Sequence, residues 1–443
     1  MFFSFDLVIK NGTVVTPGGI LKTDLGIAGG KIIFIGSLSQ VKADHIFDAE
    51  GLHVLPGLID SQVHFREPGL EHKEDIAHGT RAAIKGGVTS IFEMPNTSPL
   101  TLDENTLQDK LDRADNSAWC DYAFFMGGNS ENAHRLSDLE RLPGCAGVKI
   151  FMGSSTGTLL AKDDDVIAEV LANGKRRVSV HAEDEDRLVS RQDIAVKAEK
   201  VEAHPDWRDV ESAVRATKRL IELAHAADRR VHVLHISSKE EMEILARYKD
   251  LISVEVTLNH LTLAAPECYE ELGAFAQMNP PVRDISHQQG LWHAIQNGIV
   301  DVIGSDHAPH TIEEKERPYP SSPSGMPGVQ TSLPLLLNHV EEGRLTLERL
   351  VDLTSAGPQR IFGIIGKGRI AVGYDADLVV VDMKAKRTIT DDWIESKCSW
   401  TPFDGMKVTG WPIATVLRGS MVMREDEILG KPVGEAVRFY ETD

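Results

Sequence analysis

Cysteine is scarce in this chain: four thiols in 443 residues, at Cys120, Cys145, Cys268 and Cys398. No two lie close enough for a Cys-x-x-Cys metal or redox motif, and a disulfide framework is excluded at this density. Four separate thiols, buried or partly buried, is what they support. Basic residues are also short, 47 against 67 acidic ones, leaving a formal net charge of −20. A surface of that sign repels phosphate backbones, so nucleic acid is not an expected partner. A small anionic substrate is compatible with it, because one arginine or a metal ion reverses the field inside a cleft. Long apolar runs are missing as well; none reaches the about eighteen residues of a membrane span, so none is expected. The opening Met1-Phe-Phe-Ser-Phe-Asp6 lacks the basic flank and apolar stretch of a signal peptide. The expected setting is the cytoplasm.

What is present is the composition of an ordinary globular protein, 42% hydrophobic and 26% charged, long enough for one large domain and a smaller one. The first fifty residues read as short strands. Residues 7–15 are expected to form a strand pair split by an Asn11-Gly12 turn, and 31–35 another strand. From residue 54 short apolar strands alternate with helical stretches. Strands are expected near 58–64, 88–94, 122–126, 147–152, 178–181, 231–236, 253–256 and 301–304. One of the intervening helices is 210–227, where Val214, Leu220, Leu223 and Ala224 recur near the helical period.

Eight such strands predict an α/β fold, a (β/α)8 TIM barrel, rather than an open doubly wound sheet. An open sheet needs a Gly-rich phosphate turn after its first strand, where this chain has His64-Phe-Arg-Glu-Pro-Gly69. Strands return at 369–373, 377–382 and 414–419. Both termini are therefore expected to pair into one small β-sandwich domain, giving residues 1–53, barrel 54–367, and residues 368–443. The Pro/Ser/Gly stretch 318–327 follows the last barrel strand, the place of an active-site loop or lid.

Alternation along the first barrel strand puts Asp60, Gln62, His64 and Arg66 on one face if the segment stays extended. Four polar groups on one face of an apolar strand are costly to bury unless they bind something. The same reasoning groups Ser179 with His181, puts His235 with Val231 and Val233 and opposite His232, and sets Lys149 opposite Val148 and Ile150. Asp306 follows the last apolar run. Each of these lies at the C-terminal end of an expected strand, the rim on which barrel active sites are built. A lone strand-end histidine is more often structural, and a lone strand lysine more often snorkels. His64, Lys149, His181, His235 and Asp306 on five different strand ends form a pattern. Imidazoles with a carboxylate suit Zn2+ or a similar divalent ion, which lowers the pKa of a bound water toward ~7. Lys149 fits such a group if its amine carries CO2 as a carbamate, which replaces a cation by a bridging carboxylate. Asp306 would then shuttle the water's proton to the leaving nitrogen.

Taken in order, several segments resemble the dihydroorotases of the amidohydrolase superfamily over essentially the whole chain. They are Pro56-Gly-Leu-Ile-Asp60, His64-Phe-Arg-Glu-Pro-Gly69, Met94-Pro-Asn-Thr97, Gly147-Val-Lys149, Val180-His-Ala-Glu-Asp184 and Leu234-His-Ile-Ser237. Met278-Asn-Pro-Pro-Val-Arg283, Ile303-Gly-Ser-Asp-His-Ala-Pro-His310 and the stretch from Gly368 to Val379 complete the set. The resemblance implies a barrel with a terminal β-sandwich, and reversible hydrolysis of dihydroorotate to N-carbamoyl-aspartate in pyrimidine synthesis. It implies metal ligation by His64, carboxylated Lys149, His181, His235 and Asp306, with Asp306 also the general acid/base. Arg66, Asn96, Asn279 and His310 become the substrate-binding set, and a homodimer is the expected assembly. A carboxylate on the substrate suits a bidentate Arg66, while asparagine amides suit the ring. Without the resemblance, Asn96 and Asn279 read as turn residues beside proline, and His310 as a loop histidine. His260 lies where relatives often carry a histidine pair.

The chain departs from the superfamily at Gln62, where Asp-x-His-x-His has its first histidine. An amide oxygen is a weaker zinc ligand than imidazole, so one or two ions are compatible with the sequence. Two rival functions share most of these residues. A hydantoinase or allantoinase would keep the ligands without needing a carboxylate clamp at Arg66. A non-catalytic, metal-free relative acting as an assembly partner would have lost several ligands, and here only Gln62 departs.

Overall fold

The structure is a computed structural model that describes residues 4–38, 41–155 and 158–440. The outermost residues of both terminal segments, 1–3 and 441–443, lie outside that description. Eight parallel strands form the barrel: β1 (Leu58–Val63), β2 (Val88–Glu93), β3 (Asp121–Gly127), β4 (Cys145–Phe151), β5 (Val178–His181), β6 (Val231–Val233), β7 (Ile252–Thr257) and β8 (Val302–Gly304). Each pairs with its sequence neighbour. The ring closes through a parallel bridge between Val63 and His307, with His64 N donating to His307 O at 2.7 Å.

The strands are short, apolar and buried on both sides because helices cover them outside. The helix Val210–Ala226 shows how a crossover is fixed. Asp209 caps it by accepting from Ser212 N, and Val214, Leu220 and Ala224 lie buried on its inner side. Register then stacks side chains in layers inside the barrel: Lys149 faces Ser179, Ser179 faces His232, and His232 faces Ser253.

Both termini build one further sheet of nine strands. His53–Pro56 pairs with the N-terminal strand Phe5–Thr16 on one side and with Leu378–Thr388 on the other. This is the small sandwich unit expected from the sequence, packed on its own core of Leu7, Val14, Leu25, Val380 and Val416 among others. The chain end then returns to the barrel, where Val437 and Phe439 pack with Ile59, Phe92 and Phe125.

Two local expectations fail. Asn11-Gly12 does not turn the chain; Phe5–Thr16 runs on as one strand with a register shift between Ile9 and Gly12. Asn11 takes φ +60, and its amide groups bond Asp24 and Asp48, so the pair makes a bulge instead of a hairpin. Residues 369–373 form bends and a turn rather than a strand, because the chain closes on itself there: Tyr374 N donates to Ala371 O, and only Gly373 N reaches the strand Lys31–Gly36, at Ile32 O. Among the described residues no helix is long and apolar enough to cross a membrane. All four cysteines are buried and unpaired.

Candidate active site

The C-terminal rim of the barrel brings Gln62, His64, Arg66, Asn96, His181, His235, Asn279 and Asp306 into one narrow cleft, joined by Ser324 and Gly325 from the loop at 318–327. Larger cavities exist elsewhere on the molecule, but none gathers this chemistry. Strand alternation accounts for Gln62, His64 and His181. It does not account for Arg66, His235 or Asp306, which reach the cleft just beyond their strands at φ +66, +39 and +48. Left-handed backbone at three non-glycine residues of one site is strain that the surrounding fold holds in place.

On one side of the cleft, His64 Nδ1 lies 2.8 Å from Asn96 Oδ1 and its Nε2 3.3 Å from Asp306 Oδ1. With Nδ1–H donating to Asn96, the Nε2 lone pair faces a carboxylate oxygen, an arrangement that suits a cation between them. Gln62 Nε2 donates to the same Asp306 oxygen at 2.9 Å, and its Oε1 is buried without a partner. Below, Asp60 accepts from the backbone of Gln62 and Ser305, and burial raises its carboxyl to about 6.

On the other side, His181 Nδ1 and His235 Nε2 are 3.0 Å apart. His181 Nε2 donates to Glu183 Oε2 at 3.0 Å, and the buried Arg208 guanidinium clasps the same carboxylate. Burial opposes ionisation of Glu183, but Arg208 and His181 outweigh it and hold the carboxyl at about 2. Burial lowers the pKa of His64, His181 and His235, so all three imidazoles stay neutral, the form that binds metals. Lys149 is fully buried, its Nζ has no hydrogen-bond partner, and it sits 4.2 Å from the Phe151 ring centroid. Burial brings its ammonium down to about 7, against the pull of Asp306 and Glu255, so the neutral amine that reacts with CO2 is accessible at neutral pH.

Among the described residues, no three His, Cys, Asp or Glu side chains converge as they stand on a point that would hold a metal. The donor set nonetheless fits a divalent ion: three neutral imidazoles, a carboxylate, an orphaned amide oxygen and an unpartnered buried amine.

Beside this centre lies a cluster of donors. Arg66 is buried, with Nε donating to Pro309 O at 3.2 Å and Nη2 3.3 Å from His310 Nε2. Burial lowers its guanidinium to about 10, where it is still charged at neutral pH. His310 Nε2 donates to Ser324 O at 3.0 Å, and Lys73 Nζ lies 3.1 Å from its Nδ1. Asn279 accepts from His204 Nε2 at 2.9 Å. The loop at 318–327 is stitched down: Lys315 Nζ donates to Gln277 O, Pro323 O and Gly325 O, and Gly325 N donates to Gln277 O at 2.8 Å. Gly325, at φ +142, leaves no room for a side chain beside His310 and Ala308 O.

The sequence reading missed Glu183, Arg208, Lys73 and His204. Glu183 sits inside a quoted motif without an assigned role, and the others carry no local signal. His260 does not enter the cleft; its ring is satisfied by Thr257 Oγ1 at 2.8 Å and Pro280 O at 3.1 Å.

A barrel with histidines, an aspartate and a buried lysine on its C-terminal rim defines a hydrolase scaffold built around a polar centre. The family model of the amidohydrolase family matches residues 53–422, and the chain belongs to that family. It is 38% identical to a dihydroorotase of Pyrococcus abyssi, over 96% of this chain and 97% of that protein. It is 35% identical to a dihydroorotase of Methanosarcina acetivorans, over 96% and 94%. Among solved structures it resembles the L-hydantoinase (dihydropyrimidinase) of Arthrobacter aurescens, with a TM-score of 0.93 and 30% identity over 98% of this chain and all of that one.

Proposed function

We propose that the chain is a zinc-dependent dihydroorotase, which reversibly hydrolyses the cyclic amide of dihydroorotate to N-carbamoyl-aspartate in pyrimidine synthesis. The observation that carries this choice is the donor cluster of Arg66, His310 and Lys73 beside the His/Asp centre. A charged guanidinium held at a rigid site is suited to a ring that bears a carboxylate. Hydantoin, dihydrouracil and allantoin rings lack that carboxylate and would leave the cluster without a partner.

His64, His181, His235, Asp306 and Lys149 as its carbamate hold one or two zinc ions in this reading, with Gln62 the weak position. When bound, zinc acidifies a water and polarises the amide carbonyl. Asp306 takes the proton of the attacking water and delivers it to the ring nitrogen as the C–N bond breaks. Glu183 fixes the His181 ring, and Arg66, Asn96, Asn279 and His310 orient the substrate. The division into residues 1–53, 54–367 and 368–443 belongs to the same reading, with His53–Pro56 and 433–439 the stretches that tie the units together.

Turnover by zinc-loaded protein, followed for dihydroorotate, dihydrouracil, hydantoin and allantoin, tests the proposal. Hydrolysis of dihydroorotate, abolished by a chelator and restored by zinc, is the expected result. Turnover of only the neutral rings would replace it by the hydantoinase reading.

A further inference from the structure

The opposite end of the barrel holds an unusual gathering of charge for a chain of net charge −20. Arg176 and Arg177 immediately precede β5, and Arg229 and Arg230 immediately precede β6. These adjacent strands bring both dipeptides to the N-terminal face. There Arg176, Arg177 and Arg230, with Arg360 from the helix Gly357–Phe362, line a cavity of about 110 Å³ whose wall includes Phe362 and Tyr440.

Part of this is structural. Arg176 Nη1 donates to Cys145 O, Arg177 Nη1 to Val231 O and Leu251 O, and Arg229 Nε to Arg176 O, tying down carbonyls at the strand starts. Carbonyls do not neutralise the charge, and the nearby carboxylates are engaged elsewhere. Glu140 takes Arg229 together with the backbone N–H groups of Lys175 and Arg176. Asp301 takes Lys249 and the N–H of Val254. Asp352 is shared between Arg349 and Arg360, the latter at 3.3 Å. Arg177 keeps a buried Nε without a partner, and the exposed side chain of Arg230 makes no hydrogen bond or ion pair among the described residues, while its backbone O accepts from Val178 N. Burial, with the neighbouring Arg230 adding to it and Asp301 opposing it, lowers the Arg177 guanidinium to about 10.

We propose that this cavity is an anion site for a phosphate group, held by Arg177 Nε, Arg230 and Arg360 at the face of the barrel opposite the active site. Arginines lining a small concavity suit the tetrahedral oxyanion, and their grouping in a chain of net negative charge focuses the field there. The exposed Tyr440 ring at the rim offers a surface for an organic group attached to the phosphate. The inference is independent of the reaction assigned above.

Calorimetric titration of the full-length, zinc-loaded protein with inorganic phosphate and with phenyl phosphate tests it. The expected result is one site per chain whose affinity falls about tenfold or more in Arg230→Gln and in Arg360→Gln, and is unchanged in Arg66→Gln. Both altered side chains are partly exposed, so the variants are expected to fold; unchanged melting temperatures without phosphate check this. Tighter binding of phenyl phosphate, lost in Tyr440→Ala, identifies an organic phosphate as the occupant, and equal affinities identify inorganic phosphate. No binding of either probe, binding indifferent to Arg230 and Arg360, or binding lost in Arg66→Gln would overturn the proposal.

Discussion

Lys73 Nζ stands 3.1 Å from His310 Nδ1, on the side of the ring turned away from Ser324. Ser324 O at Nε2 and Lys73 at Nδ1 suit a proton on Nε2, whereas Arg66 Nη2, 3.3 Å from Nε2, and Glu314 Oε2, 3.5 Å from Nδ1, suit the other neutral tautomer. Burial lowers the His310 pKa well below its ordinary value, so the ring is neutral in either tautomer. Lys73 adds a positive charge behind Arg66, while Glu314 holds it in place at 3.2 Å. Lys73→Met is expected to raise KM for dihydroorotate roughly tenfold with a small change in kcat, the signature of lost ground-state binding. Steady-state kinetics checks it; an unchanged KM removes Lys73 from substrate recognition.

Glu183 links His181 to Arg208 through buried contacts. A carboxylate that accepts from a ligand histidine orients the ring and raises its basicity, and its loss typically weakens metal binding by about 10–100-fold. Glu183→Gln should therefore bind zinc more weakly by a factor in that range, measured by competition with a chromophoric chelator. Equal zinc affinity in the variant and the parent would leave Glu183 with only a packing role.

His204 donates from Nε2 to Asn279 Oδ1 at 2.9 Å and to Met278 O at 3.1 Å, while its Nδ1 meets the Tyr319 hydroxyl at 3.2 Å. It ties the loop at 318–327, through Tyr319, to Asn279 at the wall of the cleft. Burial, reinforced by Arg208, lowers its pKa to about 3. The unfolded chain, titrating near 6.5, then binds more protons than the native one between those values. Stability is expected to be lost as pH falls from about 6.5 toward 3, by at most ~1.4 kcal/mol per pH unit from this one group. Urea unfolding of the parent and of His204→Gln at pH 7.5 and 5.5 measures it. The variant should lose less stability across that interval, and equal losses would show that His204 is not the group responsible.

The barrel was legible because its strands are apolar runs whose polar residues gather at one end. Residues 178–181 were placed correctly, and the other strands differ from the structure by a few residues at their ends. Alternation was informative only while the chain stayed extended. It brought Gln62 and His64 to one face, and it had no purchase on Arg66, His235 and Asp306, whose left-handed backbone turns them into the cleft. Asn11-Gly12 misled for a related reason: the same dipeptide serves a hairpin or a bulge, and the choice lies with Asp24 and Asp48 on other strands. Lys73, Arg208 and His204 were out of reach because their partners are distant in sequence; His204 and Asn279 are 75 residues apart. The loop at 318–327 was expected as an active-site loop or lid. It lines the cleft with Ser324 and Gly325, as an active-site loop does, held by Lys315 and Gln277.

A site built around Arg66 is expected to select a ring bearing a carboxylate. The direct measurement is kcat/KM of the zinc-loaded enzyme for dihydroorotate against dihydrouracil, in the parent and in Arg66→Leu. A preference for dihydroorotate of at least about a hundredfold is predicted for the parent, collapsing toward parity in the variant through loss of dihydroorotate turnover. Comparable kcat/KM values for the two rings in the parent, or a preference that survives the loss of Arg66, would contradict it.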